Sequence, residues 1–295
     1  MGFLGKNVDK EHPCKLSRRI YARYPFEELQ RRFNRVDLIV IDFDECLFPG
    51  FSQSTLGKLV FREVLCNFLK IDDLRFLPSL LSGGLFICLA KLRHLFNGET
   101  DNLEMMIGYE KSMMGIPLHY FKKTAVRIPS RTYFHSRRTV EELSRQAKVG
   151  IISFGIDLIM EEYMRQLNGG DKGCMSFYDC NVLLFERKND REVFVGYQKE
   201  ELKTNKLYKG DLLKKRIKQF SAKTPLVIGH NEDDTEMVKI AQKMNGIGIG
   251  FNPLPEFEQA FDVKVFGKDW EHLLQLVKKL RQGKEETKCS WRLCG

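Results

Sequence analysis

The stretch VDLIVIDFDECLFPG, Val36–Gly50, decides how the rest of the chain is read. Its apolar run, Leu38 to Ile41, ends in Asp42 and Asp44, with Glu45 next. A short apolar run with little polar alternation fits a strand covered on both faces. Residues two apart on a strand point the same way, so Asp42 and Asp44 are expected to share a pocket at its end. Two carboxylates placed so can bind a hard cation through oxygen. They can also divide the work of nucleophile and of acid and base. An isolated Asp-x-Asp also admits a simpler reading, in which Asp42 turns the chain and Asp44 is solvated. Delivery by an apolar strand to a ligand-binding edge favours the site.

Four further segments resemble this one. KVGIISF (Lys148–Phe154) ends near Ser153, and PLVIGH (Pro225–His230) ends in Gly229 and His230. GIGIGF (Gly246–Phe251) and DVKVF (Asp262–Phe266) follow. Helical patterns separate them: TVEELSRQAK, GDLLKKRIKQFS and DTEMVKIAQKMN. Strands alternating with helices predict an α/β fold with a parallel, Rossmann-like sheet. Right-handed crossovers then bring the strand C-termini to one edge, where ligands bind. Between the first two strands, Leu56–Leu69, Leu74–Phe96, Asn102–Met114 and Leu118–Val126 are helical in pattern. This predicts an inserted helical subdomain. Gly173–Gln198 is rich in aromatic and β-branched residues around KND, a turn signal, and predicts a hairpin.

The segments carry chemistry of their own. Ser153, in ISFG, offers a hydroxyl to a phosphoryl oxygen, or an N-cap to the helix that follows. Lys209, in YKGDLL just before a helix, offers a compact cation for developing charge, in competition with Lys206, Lys214 and Lys215. GHNEDDTEM brings His230, Asp233 and Asp234 after the third strand. Its acids either favour a helix start or complete a cation site begun by Asp42.

The chain has 295 residues and is 43% hydrophobic, enough for one large domain or a core with an insertion. Lys and Arg number 48 against 39 acids, a net +9 that suits anionic partners such as phosphorylated small molecules. The basic residues are dispersed, with no basic stripe interleaved with aromatics, so no nucleic-acid partner is expected. Eight cysteines are scattered without a CxxC pair, and MGFLGKNVDKEHPCK has no apolar core of a signal peptide. A reducing, cytoplasmic setting is expected. Leu77–Phe96 is the most apolar window but falls short of a membrane span, so a membrane surface is the weaker alternative.

Taken together, DFDEC, ISFG, YKGDLL and GHNEDDTEM resemble, in order and spacing, the four motifs of the haloacid dehalogenase superfamily. The helical insertion after the first motif looks like the cap of its phosphoserine-phosphatase-like branch. The resemblance implies a core from 1–47 and 130–280, a helical cap at 49–129 and a tail at 281–295. It implies that Asp42 attacks phosphorus to form an aspartyl-phosphate, and that Asp44 protonates the leaving group and then activates water. Ser153 and Lys209 would hold the phosphoryl oxygens. Magnesium would bind Asp42, the Asp44 carbonyl and an acid of the fourth motif, Asp233 or Asp234. One departure stands out: the fourth motif is usually GDxxxD, and its first aspartate is here His230. Imidazole as a ligand would favour manganese or another transition divalent cation over magnesium. The expected function is a metal-dependent phosphatase acting on a phosphorylated small molecule. The alternatives are a non-catalytic binding or regulatory protein of the same fold and a membrane-surface phosphatase of lipid phosphates.

Overall fold

The computed structural model describes residues 14–67, 102–169, 173–198 and 206–290. The chain opens with β1 (Cys14–Ser17), β2 (Ile20–Ala22), α1 (Phe26–Phe33) and β3 (Leu38–Ile41). Next come α2 (Ser52–Cys66), α3 (Asn102–Met113) and α4 (Leu118–Ala125). The core resumes with α5 (Ser136–Ser144), β4 (Lys148–Ile156), α6 (Asp157–Asn168) and β5 (Phe177–Asn181). β6 (Leu183–Lys188) and β7 (Arg191–Tyr197) form a hairpin. The chain continues through α7 (Lys206–Phe220), β8 (Pro225–Gly229), α8 (Thr235–Lys243), β9 (Ile247–Phe251), β10 (Val263–Val265) and α9 (Glu271–Ser290).

The main sheet has the order β1-β2-β10-β9-β8-β3-β4-β5. Every pair from β10 to β5 is parallel, and β1 and β2 add an antiparallel edge. β3 shows why its apolar run has no polar alternation: all four residues are buried. Leu38 and Val40 face Leu212 and Leu213 of α7 and Met237, Val238 and Ala241 of α8. Ile39 and Ile41 belong to the opposite layer, with Leu29 and Phe33 of α1, Leu143 of α5 and Leu273, Val277 and Leu280 of α9. The period-2 alternation of a strand thus feeds two helical layers.

From β3 the chain steps one way through β4 and β5, then returns to the other side of β3 through β8, β9 and β10. β3 is therefore the point where the strand order reverses, and the crevice at its C-terminal end is where such sheets bind ligands.

Several elements depart from expectation. The edge strands β1 and β2 and helix α1 have no counterpart in the sequence reading, because CKLSRRIYA is polar and its strands are very short. The Gly173–Gln198 region yields β5 in the main sheet as well as the hairpin. Asn189 and Asp190, the turn expected from KND, both have positive φ, 49° and 60°, as a tight two-residue hairpin turn requires. α9 runs to Ser290, past the tail expected from 281. Its RQGKEETK stretch lacks proline, and a single glycine does not stop a helix. The expected helix at Leu74–Phe96 lies outside the described residues. No described helix is long and apolar enough to cross a membrane.

α2, α3 and α4 are joined to the hairpin. Gly115 N–H donates to Phe194 O at 2.8 Å, and Phe194 N–H donates to Ile116 O at 2.9 Å. Phe121 of α4 packs against Phe185 and Phe194, with ring centroids 5.4 and 5.6 Å apart.

Candidate active site

Asp42 directly follows β3, and its N–H donates to Ile228 O of β8 at 2.9 Å. The sheet ladder therefore carries one step beyond the strand and fixes the residue. After it the chain coils: Leu47 N–H and Phe48 N–H both donate to Phe43 O at 2.8 Å. Trp270 Nε1–H donates to Cys46 O at 2.8 Å and ties this coil to the start of α9. Asp44 Oδ1 accepts from the N–H of Ser52, the first residue of α2, at 2.9 Å. Burial pushes the Asp44 carboxyl up to about 7 against the Ser52 hydrogen bonds, with Asp42 adding to the rise.

Ser153 is buried within β4, not at its end as expected. β4 outruns β3, whose last partner is Ile151, and its register on β5 shifts between Ile152 and Ile156. Such an irregularity re-aims side chains. Ser153 Oγ accepts from Gly155 N–H at 3.1 Å, which spends a lone pair and leaves the hydroxyl hydrogen to donate. It does not cap α6: the N-cap there is Ile156, and Leu158 N–H is met by Asp157.

Lys209 lies in the first described turn of α7 rather than before the helix. It is buried, and its Nζ donates to Asp42 Oδ1 at 3.0 Å and to Asp234 Oδ1 at 2.8 Å. The ammonium also lies 4.7 Å from the ring centre of Phe154, a cation–π contact. Burial opposes its charge, yet Asp234 and Asp42 more than offset this and raise its pKa above the ordinary lysine value. Lys214, a sequence rival, pairs instead with Asp211 at the surface.

After β8, Asn231 caps the 3-10 turn Glu232–Asp234: its side chain accepts from Asp233 N–H at 3.0 Å. Asp234 reaches back, and its Oδ2 accepts from His230 N–H at 2.8 Å. Gly229 makes room for this, since a Cβ there would lie 2.5 Å from the Asp234 carboxyl carbon. Burial would raise the Asp234 pKa, but Lys209 and His230 hold it well below the usual range.

His230 is buried. Its Nε2 is 3.1 Å from Glu45 Oε2. Its Nδ1 lies 3.4 Å from Asp42 Oδ2 and 3.6 Å from Asp234 Oδ2, with no hydrogen-bond partner. Burial would lower its pKa, but the carboxylates of Asp234, Asp42 and Glu45 push it up to about 12. Asp42, His230 and Asp234 offer ligand atoms within 4.8 Å of one another. A divalent cation fits this set: two carboxylate oxygens and an orphaned, buried imidazole nitrogen converge on one space. A cation binding there would displace a proton from Nδ1. Of the five candidate metal ligands, Asp233 and the carboxylate of Asp44 lie outside this cluster.

The sequence therefore pointed to the residues that converge: Asp42, Asp44, Lys209, His230 and Asp234. It did not single out Glu45 or Phe154. Phe154 was within sight, as the aromatic following Ser153. Glu45 carried no signal beyond being the third acid within the stretch Asp42–Glu45.

Neither a family model nor a curated protein matches the chain. Solved structures do. A phospho-aspartyl intermediate analogue of phosphoserine phosphatase aligns over 82% of this chain and 98% of its own, at 17% identity and a TM-score of 0.57. A probable phosphoserine phosphatase from Vibrio cholerae aligns over 86% of this chain and 68% of its own, at 15% identity and a TM-score of 0.60. Cytosolic 5'-nucleotidase IIIB bound to cytidine aligns over 91% and 96%, at 15% identity and a TM-score of 0.54. At these identities the likeness is one of fold: the chain folds like the phosphoserine phosphatase structures.

Proposed function

We propose that the protein is a metal-dependent phosphatase that hydrolyses a phosphorylated small molecule through an aspartyl-phosphate on Asp42. The observation that carries this reading is the buried Lys209 bridging Asp42 and Asp234 beside a carboxyl, Asp44, that titrates near neutrality. Phosphoryl transfer needs mostly positioning and charge neutralisation. A carboxylate nucleophile, a fixed cation and a proton donor are what that chemistry demands.

In this reading an Asp42 oxygen attacks phosphorus, and the bond from phosphorus to the leaving oxygen breaks. Protonated Asp44 gives its proton to that oxygen. Water then attacks the phosphorus of the aspartyl-phosphate, Asp44 takes the water's proton, and Asp42 is regenerated. Lys209 Nζ and Ser153 Oγ hold the equatorial phosphoryl oxygens. A divalent cation held by Asp42, His230 and Asp234 would supply further charge neutralisation; the nitrogen ligand favours manganese, cobalt or zinc over magnesium. Helices α2 to α4, within 49–129, together with the β6–β7 hairpin, act as the cap that excludes water. The similar folds of phosphoserine phosphatase and a 5'-nucleotidase support a phosphorylated small molecule as substrate.

The test is phosphate release from a panel of phosphorylated metabolites with magnesium, manganese, cobalt and zinc, for wild type and Asp42→Asn. Wild type is expected to turn over with at least one metal. The amide variant is expected to fold and to be inactive, since an amide is a poor nucleophile. Wild-type turnover by Asp42→Asn would refute the covalent route. No turnover by either protein would favour a binding or regulatory role, the reading that the exchange of aspartate for His230 supports.

A further inference from the structure

The two ring nitrogens of His230 face different groups. Nε2 lies 3.1 Å from Glu45 Oε2. An ionised carboxylate can only accept, so Nε2 carries the hydrogen. With that hydrogen fixed on Nε2, Nδ1 is the ring nitrogen that can give its proton up to a cation. Nδ1 is buried and unpartnered, and it faces Asp42 Oδ2 and Asp234 Oδ2. Lys209 serves the other oxygen of each carboxylate, Oδ1 in both cases. A divalent cation can take the place of a proton on Nδ1 and then meets three ligand atoms on one space.

A second, independent feature lies in the backbone of Glu45. Its φ is 56°, in the left-handed region that favours glycine and that a side chain strains. Glu45 N–H donates to Gly50 O at 3.1 Å and closes the loop that holds this conformation. Glycine would relax the turn. What glycine would lose is the carboxylate that meets His230, 185 positions away in sequence.

We propose that Glu45 is a positioning residue: it fixes the tautomer and tilt of His230, so that Nδ1 completes a mixed nitrogen–oxygen site for a transition divalent cation with Asp42 and Asp234. This rests on the metal-dependent reading above. Carboxylates behind ligating histidines raise ligand basicity, and their loss costs metal affinity about 10- to 100-fold.

The experiment is a titration of the metal-free full chain with cobalt(II), read by visible absorption, for wild type, Glu45→Gln and Glu45→Gly. Phosphate release is measured on the same preparations, and thermal melting checks that each protein folds. The glycine variant is expected to bind cobalt about 10- to 100-fold more weakly, with altered ligand-field bands. The glutamine variant keeps shape and an acceptor but no charge, and is expected to fall between; it carries the test if the glycine variant does not fold. Equal affinity and superimposable spectra for all three would overturn the proposal, as would a wild type that binds no cobalt. The two readings fail separately. Cobalt binding that depends on Glu45 in a wild type without turnover upholds the positioning role and removes the phosphatase. Turnover with cobalt binding indifferent to Glu45 does the reverse.

Discussion

Lys209 donates to Asp42 and Asp234 from a position almost wholly out of water. Removing one partner of a buried ion pair leaves uncompensated charge and costs about 3–5 kcal/mol. Lys209→Met is expected to lose stability on that scale in urea denaturation, whereas Lys214→Met, at an exposed site, is expected to stay within about 0.5 kcal/mol. Equal effects would show that Lys209 is not the cation that holds the site together. Asp157 gives a pH signature away from the acids that Lys209 bridges. Burial raises its carboxyl from 3.8 to about 6, against hydrogen bonds from Leu183 and Leu158. Between those values the folded chain holds a proton that the unfolded chain has released, so its contribution to stability is lost as pH rises through the window. Asp157→Asn is expected to flatten the fall in melting temperature from about pH 4 to about pH 6; an unchanged slope would place the proton elsewhere. Residue types and strand ends made Asp42, Lys209 and Asp234 legible in the sequence. The rivals Lys214 and Lys215, which the sequence left in competition with Lys209, are exposed, and burial is what separates them. Glu45 was unreadable for a related reason: its role depends on a backbone angle and on a partner far along the chain.

The legible elements are those whose apolar residues face two layers or one helix stripe. β3, β8 and β9 are buried at every position, and α8 buries Met237, Val238, Ile240 and Ala241 on its sheet-facing side. β1 and β5 were hidden because they are short edge strands that mix polar with apolar residues, and β2 because it has three residues only. Strand β7 shows what an element contributes beyond itself. Its Phe194 is fully buried, packs against Phe121 and edge-on to Phe185, and exchanges backbone hydrogen bonds with Gly115 and Ile116. Phe194→Ala is expected to cost about 3–5 kcal/mol. If the hairpin and helices act as one cap, hydrogen exchange should rise in α4 as well as in the hairpin. Faster exchange confined to β6 and β7 would separate the two.

At the scale of the molecule, the strand order reverses at β3, and this brings four distant segments to one crevice. Asp42 and Asp44 come from the end of β3, Ser153 from β4, Lys209 from α7 and His230 with Asp234 from the turn after β8. The central claim is that this crevice holds a phosphoryl group on Asp42, whatever the substrate. Beryllofluoride binds carboxylates as a mimic of aspartyl-phosphate, so it tests the claim without knowledge of the substrate. The measurement is fluorine-19 NMR of the protein with beryllofluoride and, in turn, magnesium, manganese, cobalt or zinc, broadening by paramagnetic ions being read as loss of the free-ion signal. Metal-dependent binding by wild type that is absent from Asp42→Asn is expected. Binding that persists unchanged in Asp42→Asn, or no binding by wild type with any of the four metals, would contradict it.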